Sequence, residues 1–190
     1  MEKDAKIAIV VVGSILLLIG LGIIIVKNMD DTLKYPADAK WAKSSKTLKM
    51  VNELHPKVKQ HVADFFTEIE KNGLVAIGTS GLRTSTQQAG LDAGNSQNAD
   101  AGLSDHEYGF AIDINVSKDG KIILKKANSD ADWINSGVVA IAKKHGFKWG
   151  GDFKTYQDPI HFYNDFNIPA RDMLKRKIAG KVDTKGYLLV

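Results

Sequence analysis

The chain has 190 residues, a formal net charge of +4 from 26 Lys and Arg against 22 Asp and Glu, and no cysteine. That length allows one ordinary domain with a real core, and the missing cysteines exclude disulfides, thiolate nucleophiles and Cys-based zinc sites. The small basic surplus suits an anionic partner, but no arginine cluster or aromatic-studded basic patch accompanies it, so the expectation is no nucleic acid.

Residues 1–6 read as a short N-terminal tail. Residues 7–26, IAIVVVGSILLLIGLGIIIV, carry no charge. At a helical rise of 1.5 Å per residue, 20 residues give about 30 Å, the thickness of a bilayer core, so the run predicts one transmembrane helix. The apolar region exceeds that of a signal peptide and ends in VKNMDD without a small-residue cleavage site, which favours an uncleaved anchor. Residues 27–45 are polar, contain Pro36 and read as a linker, leaving 46–190 for a folded domain.

Within that domain, Val58, Val62, Phe65, Phe66 and Ile69 follow the spacing of an amphipathic helix that starts at Pro56 and ends at Asn72-Gly73. LVAIGTSG, residues 74–81, predicts a strand. FAIDINV alternates, with Ile112, Ile114 and Val116 on one face and Ala111, Asp113 and Asn115 on the other, so Asp113 projects away from the core. SKDGKIIL completes a hairpin around Asp119-Gly120. SDADWINSGVVAIAKKHGF predicts a second amphipathic helix closed at Gly146, PIHFY another strand, and KVDTKGYLLV a final turn and strand. Helices and strands mix without a βαβ rhythm. The expected class is α+β, a small antiparallel sheet flanked by helices, preceded by the transmembrane helix.

Two catalytic motifs nearly appear and fail. His106-Glu107 begins like H-E-x-x-H, but Phe110 stands where the second histidine belongs, and Leu82 breaks a nucleophile elbow at Gly78. What remains is His106, then Asp113 on a strand's polar face, then Asp158-Pro159-Ile160-His161. Two imidazoles and a carboxylate make a three-ligand zinc set with one position open, and Asp158 is left over as a base. Residue spacing alone leaves this open, since a histidine followed seven residues later by an aspartate is common without a metal.

S-D-H-E-Y-G-F-A-I-D, Ser104 to Asp113, resembles the S-x-H-x-x-G-x-A-x-D signature of the zinc peptidases that include D-alanyl-D-alanine carboxypeptidases and L-alanyl-D-glutamate endopeptidases, many of them phage endolysins. Phe147 to Phe162 resembles the second signature of that family, most closely its endopeptidase branch. Thr79 to Thr84, with Arg83, resembles its S-G-x-R segment, and Leu54-His55-Pro56 its N-terminal helix start. The similarity runs from about Leu48 to Phe162. It departs at Leu82, where an aromatic is usual, and at Phe153, where tryptophan is frequent.

The resemblance implies that His106, Asp113 and His161 bind Zn2+ and that Asp158 is the catalytic base. It further implies that Arg83 polarises the scissile carbonyl or holds a substrate carboxylate, and that Ser104 supports the site by hydrogen bonding. The implied partner is a peptidoglycan stem peptide. That substrate lies outside the cytoplasmic membrane, so the anchor is expected to run with its N-terminus cytoplasmic and the enzyme outside, or to sit in the membrane of a lipid-containing virion. The function expected is hydrolysis of the L-alanyl-D-glutamate bond, with D-alanyl-D-alanine carboxypeptidase or a non-catalytic zinc-bearing wall-binding module as alternatives. Glu107, His55, His61, His145, Gln87 and Gln88 read as bystanders, Trp149 as a wall of the cleft, and Gly109 and Ala111 as small residues that keep it open.

Overall fold

The computed structural model describes residues 8–12, 15–20, 23–28, 31–92 and 98–190. A four-stranded antiparallel sheet comes first, made of β1 (Ala8–Val12), β2 (Ile15–Gly20), β3 (Ile23–Asn28) and β4 (Asp31–Pro36) in sequence order. This corrects the transmembrane helix expected over 7–26, of which Ile7, Gly13, Ser14, Leu21 and Gly22 lie outside the described residues, as does the tail 1–6. Eleven of the run's twenty residues are Ile or Val, whose branched Cβ favours the pleat over the helix. Gly13-Ser14 and Gly20-Leu21-Gly22 interrupt it at hairpin spacing. Among the described residues no helix is long and apolar enough to cross a membrane. The single-pass localisation, in a cell or a virion membrane, rested on that helix and falls with it.

The segment read as a linker feeds the core. Leu33, Tyr35, Ala39 and Trp41 are buried, and β4 is stitched to a helix by Lys34 N–H donating to Gln60 Oε1 at 2.9 Å and Gln60 Nε2 donating to the Lys34 carbonyl at 2.8 Å. That helix is α2 (Pro56–Lys71), preceded by α1 (Ser45–Glu53). Val58, Val62, Phe65, Phe66 and Ile69, the predicted stripe, are all fully buried.

The second sheet is antiparallel, with strands in the order β5 (Val75–Ser80), β6 (Ala111–Lys118), β9 (His161–Tyr163) and β8 (Lys148–Trp149), while β7 (Lys121–Leu124) pairs with β6. Ile112, Ile114 and Val116 pack inward as the alternation requires, and Asp113 takes the opposite face, although that face is buried too. In register, Asp113 lies between Ser80 of β5 and His161 of β9. The α+β assignment and the antiparallel sheet therefore stand without the membrane helix. The second predicted helix is in fact two, α4 (Asp130–Asn135) and α5 (Val138–Lys144), because Gly137 adopts φ 80° between them. Helices α3 (Ser85–Asp92) and α6 (Ala170–Ile178) complete the fold.

Gly109 ends a 3-10 turn, Asp105–Tyr108, in the left-handed conformation at φ 69°. A Cβ there would lie 2.6 Å from the backbone nitrogen of His55, which itself donates to the Gly109 carbonyl at 3.1 Å. The glycine thus closes a backbone seam between this turn and the start of α2; it does not widen a cleft. Gly109→Ala combines a left-handed penalty of about 1–2 kcal/mol with a backbone clash, so we expect about 2–4 kcal/mol of lost stability, read as a lowered denaturant midpoint at unchanged m-value.

Candidate metal centre

Each residue of the centre is delivered by a different device. The 3-10 turn that begins after Ser104 aims His106; β6 aims Asp113; and β9 begins at His161, directly across the ladder. His106 Nε2 lies 3.2 Å from Asp113 Oδ1 and 3.2 Å from His161 Nδ1, and His161 Nδ1 lies 3.0 Å from Asp113 Oδ1. His106 and Asp113 are buried, and the His161 side chain is 12% exposed.

Tautomer and charge are set by the neighbours. The Gly81 carbonyl, 2.7 Å from His106 Nδ1, can only accept, so that nitrogen carries the proton and Nε2 offers a lone pair to the cluster. Burial lowers the His106 pKa, with Asp113 opposing. Burial also opposes charge on Asp113, yet the two imidazoles outweigh it and hold the carboxyl well below its usual range. Its second oxygen, Oδ2, accepts from Arg83 Nη2 at 2.8 Å.

Three acceptor atoms converging on one point, with one oxygen left to a guanidinium, suit a cation. Ligands at about 2.0–2.1 Å from a tetrahedral zinc stand about 3.3 Å apart, close to the observed edges of 3.0–3.2 Å. His106, Asp113 and His161 could therefore hold a metal ion through these atoms.

Arg83 is anchored on three sides. Besides Asp113, it donates from Nε to Ser80 Oγ at 3.0 Å and from Nη1 to Gln88 Oε1 at 3.2 Å. Gln88, which the sequence marks as a bystander, is buried and donates to the Ala99 carbonyl at 2.8 Å. Gln87 is exposed and accepts from Thr84 N–H. Beside Arg83 opens a cleft of about 540 Å3 walled by Met50, Ser80, Leu82 and Gln87.

Asp158 sits in the turn before β9. Its carbonyl accepts from His161 N–H at 3.0 Å, and its own N–H donates to the Gly150 carbonyl at 3.0 Å. Trp149, buried, donates from Nε1 to the Pro159 carbonyl at 2.9 Å, so it pins this turn from behind. A Cβ on Gly150 would lie 2.5 Å from the Asp158 carbonyl oxygen, which explains the glycine. Asp158 Oδ1 is buried without a hydrogen-bond partner, while Oδ2 lies 3.5 Å from Lys126 Nζ.

The remaining residues hold the frame. Ser104 is buried, and its carbonyl accepts from Glu107 N–H at 3.0 Å. Glu107 is also buried and accepts from Gly102 N–H at 2.6 Å through Oε2, and Tyr108 donates to the Gly102 carbonyl at 2.7 Å, so these side chains fasten the preceding loop. His55 caps α2 by accepting from Lys57 N–H, leaving Nε2 to donate to the Leu188 carbonyl, and His145 pairs with Glu68 at 2.8 Å.

A small antiparallel sheet that presents two imidazoles and a carboxylate to one point is the framework of a mononuclear metallohydrolase. A family model described as D-alanyl-D-alanine carboxypeptidase matches residues 97–164. Peptidoglycan L-alanyl-D-glutamate endopeptidase CwlK of Bacillus subtilis is 37% identical over 123 residues, covering 58% of this chain and 72% of that protein. The L-alanyl-D-glutamate peptidase of a Listeria phage is 31% identical over 118 residues, 62% of this chain and 40% of the phage protein. Among solved structures, the Serratia marcescens L-Ala D-Glu endopeptidase ChiX aligns with a TM-score of 0.48 at 22% identity, over 65% of this chain and 89% of that one. The chain belongs to the D-alanyl-D-alanine carboxypeptidase family of metallopeptidases, and it is an enzyme, a peptidase of that family.

Burial raises the carboxyl of Asp105, the neighbour of His106, to about 6, with His161 opposing and Asp165 adding. Between about pH 4 and pH 6 the unfolded chain ionises before the folded one, so the metal-free protein loses stability as pH rises, and the penalty is complete above about 6. Asp105→Asn removes it. Thermal unfolding of the metal-free variant should show a gain on the order of 2–3 kcal/mol at pH 8 and almost none at pH 3.

Proposed function

We propose that this peptidoglycan peptidase is a zinc enzyme that hydrolyses the L-alanyl-D-glutamate bond of the stem peptide, with the site carried by residues 46–190. The observation that carries the reading is the triangle of His106 Nε2, Asp113 Oδ1 and His161 Nδ1, together with a buried Asp158 oxygen that lacks a hydrogen-bond partner among the described residues, in the turn whose carbonyl accepts from His161 N–H. The choice of bond is supported by the 37% identity to the Bacillus subtilis endopeptidase over 72% of its length.

Zinc held by those three atoms supplies Lewis acidity and lowers the pKa of water. The chain's own groups do the rest. Asp158 Oδ1, a buried acceptor with nothing to accept from, takes the proton of the attacking water and returns it to the leaving amine. Its backbone is fixed at both ends of the turn, which holds the carboxylate in place for both transfers. Arg83 has three of its N–H groups committed to Ser80, Gln88 and Asp113, so its first task is to hold Asp113 ionised and oriented. Its two remaining N–H groups are available to the carbonyl oxygen as charge develops there. Ser104 serves by starting the turn that aims His106.

Digestion of purified peptidoglycan followed by mass spectrometry tests the bond. New amino termini on D-glutamate are expected, whereas free D-alanine would make the enzyme a carboxypeptidase instead. Asp158→Asn should lower kcat by about 10²–10⁴ while stoichiometric zinc, measured on the same preparation, is retained. Unchanged lytic activity in that variant would remove Asp158 from the mechanism, and a protein without stoichiometric zinc would remove the metal.

A further inference from the structure

The two carboxylate oxygens of Asp158 have different surroundings. Oδ1 is buried, while Oδ2 lies 3.5 Å from the ammonium of Lys126. Lys126 follows β7 in a turn closed by Lys125 N–H donating to Asn128 Oδ1 at 3.0 Å and Asn128 N–H donating to the Lys125 carbonyl at 2.9 Å. A capping box at Ser129 and Asp132 ties the end of that turn to α4. The backbone of Lys126 is therefore fixed beside the site.

Its side chain is not fixed in the same way. It is 55% exposed, with the ammonium 5.4 Å from the centre of the Tyr156 ring. Partial burial alone would lower its pKa, but Tyr156 and Asp158 together raise it, so the group is cationic at neutral pH. A loose, half-solvated ion pair of this kind contributes little to stability. What it provides is a mobile positive charge on a four-carbon stem, next to the carboxylate proposed to protonate the leaving amine.

That placement decides which part of the substrate it meets. The nitrogen released from an L-alanyl-D-glutamate bond sits on the α-carbon of D-glutamate, and the same carbon bears a carboxyl group. With the nitrogen in hydrogen-bond range of Asp158, this carboxyl falls within reach of Lys126. Where the peptide continues through the other carboxyl, the α-group is a free carboxylate, or a carboxamide when amidated. Only the carboxylate attracts an ammonium by charge.

We infer that Lys126 is a specificity-determining residue that binds the group on the carbon bearing the scissile nitrogen and favours a carboxylate there over a carboxamide. The inference rests on the L-alanyl-D-glutamate cleavage proposed above. Arg83 is poorly placed to do the same work, because three of its N–H groups already serve Ser80, Gln88 and Asp113.

The test uses the full chain loaded with zinc and two synthetic peptides, L-Ala–D-Glu–L-Lys joined through the glutamate side-chain carboxyl, with the α-carboxylate free in one and amidated in the other. Wild type should prefer the acid in kcat/KM. Lys126→Met should lower the acid-to-amide ratio about tenfold, and Lys126→Arg should hold it within about twofold. Calorimetric titration with the D-glutamate-headed product, in acid and amide forms, reads the same preference without turnover. A ratio unchanged in Lys126→Met overturns the inference, whether or not the absolute rates fall. Wild-type enzyme that leaves the L-alanyl-D-glutamate bond of both peptides intact overturns the proposed function instead.

Discussion

The carboxylate of Asp113 is the group around which the site is organised. One oxygen faces two imidazoles, and the other accepts from a guanidinium that meets the buried charge directly. Burying an ionised carboxyl without such partners costs several kcal/mol, and here the partners come from three different segments. The sheet enforces the meeting: Ser80, Asp113 and His161 are consecutive partners across β5, β6 and β9. A one-residue slip in β6 would turn Asp113 into the core and bring Ile112 or Ile114 into its place. The same hydrophobic alternation that fixes the core therefore fixes the metal-binding face.

Around that carboxylate the fold uses close backbone packing where side chains would be too large. Gly109 lets the turn carrying His106 touch the start of α2, and Gly150 lets the Asp158 turn lie against β8. Trp149, Glu107 and Tyr108 then lock these turns by hydrogen bonds to backbone groups. Such locking matters because Asp158 and His161, three residues apart and proposed as base and ligand, must keep different orientations within one short turn. Pinning the Pro159 carbonyl from behind fixes the turn without spending either functional side chain.

Local periodicity made much of this legible in the sequence. The apolar stripe of α2 and the alternation in β6 could each be read from a few residues, because each is dictated by short-range geometry. The three converging side chains were legible through spacing together with resemblance, since pattern alone does not bring His106 near His161, 55 positions away. In the N-terminal run, length and hydrophobicity point to a helix, whereas its Ile and Val content and its glycine spacing carry the signal for strands. Gln88, Glu107 and Lys126 were missed for another reason. A polar side chain on a helix or loop looks solvated until tertiary packing surrounds it, and only the fold brings Gln88 to Arg83 or Lys126 to Asp158. Gly137 was a local clue to the break between α4 and α5, passed over because the flanking apolar spacing continued through it.

The cations of the site divide by how tightly they are held. Arg83 is clamped by Ser80, Gln88 and Asp113, so its planar fork works mainly on the protein, fixing the carboxylate that completes the ligand triangle. Lys126 is anchored through its turn, and its ammonium rests against Tyr156 and meets Asp158 at a distance that a flexible stem can easily change. Rigidity is what a ligand set needs, because an error of a few tenths of an ångström at any of three atoms spoils a tetrahedron. Adaptability is what a contact to substrate needs, because the substrate arrives with its own geometry and charge. Guanidinium and ammonium differ in this respect, one a planar fork suited to fixed multidentate pairing and the other a point charge on a mobile stem. Their contacts, Arg83 on Asp113 and Lys126 on Asp158, follow that difference.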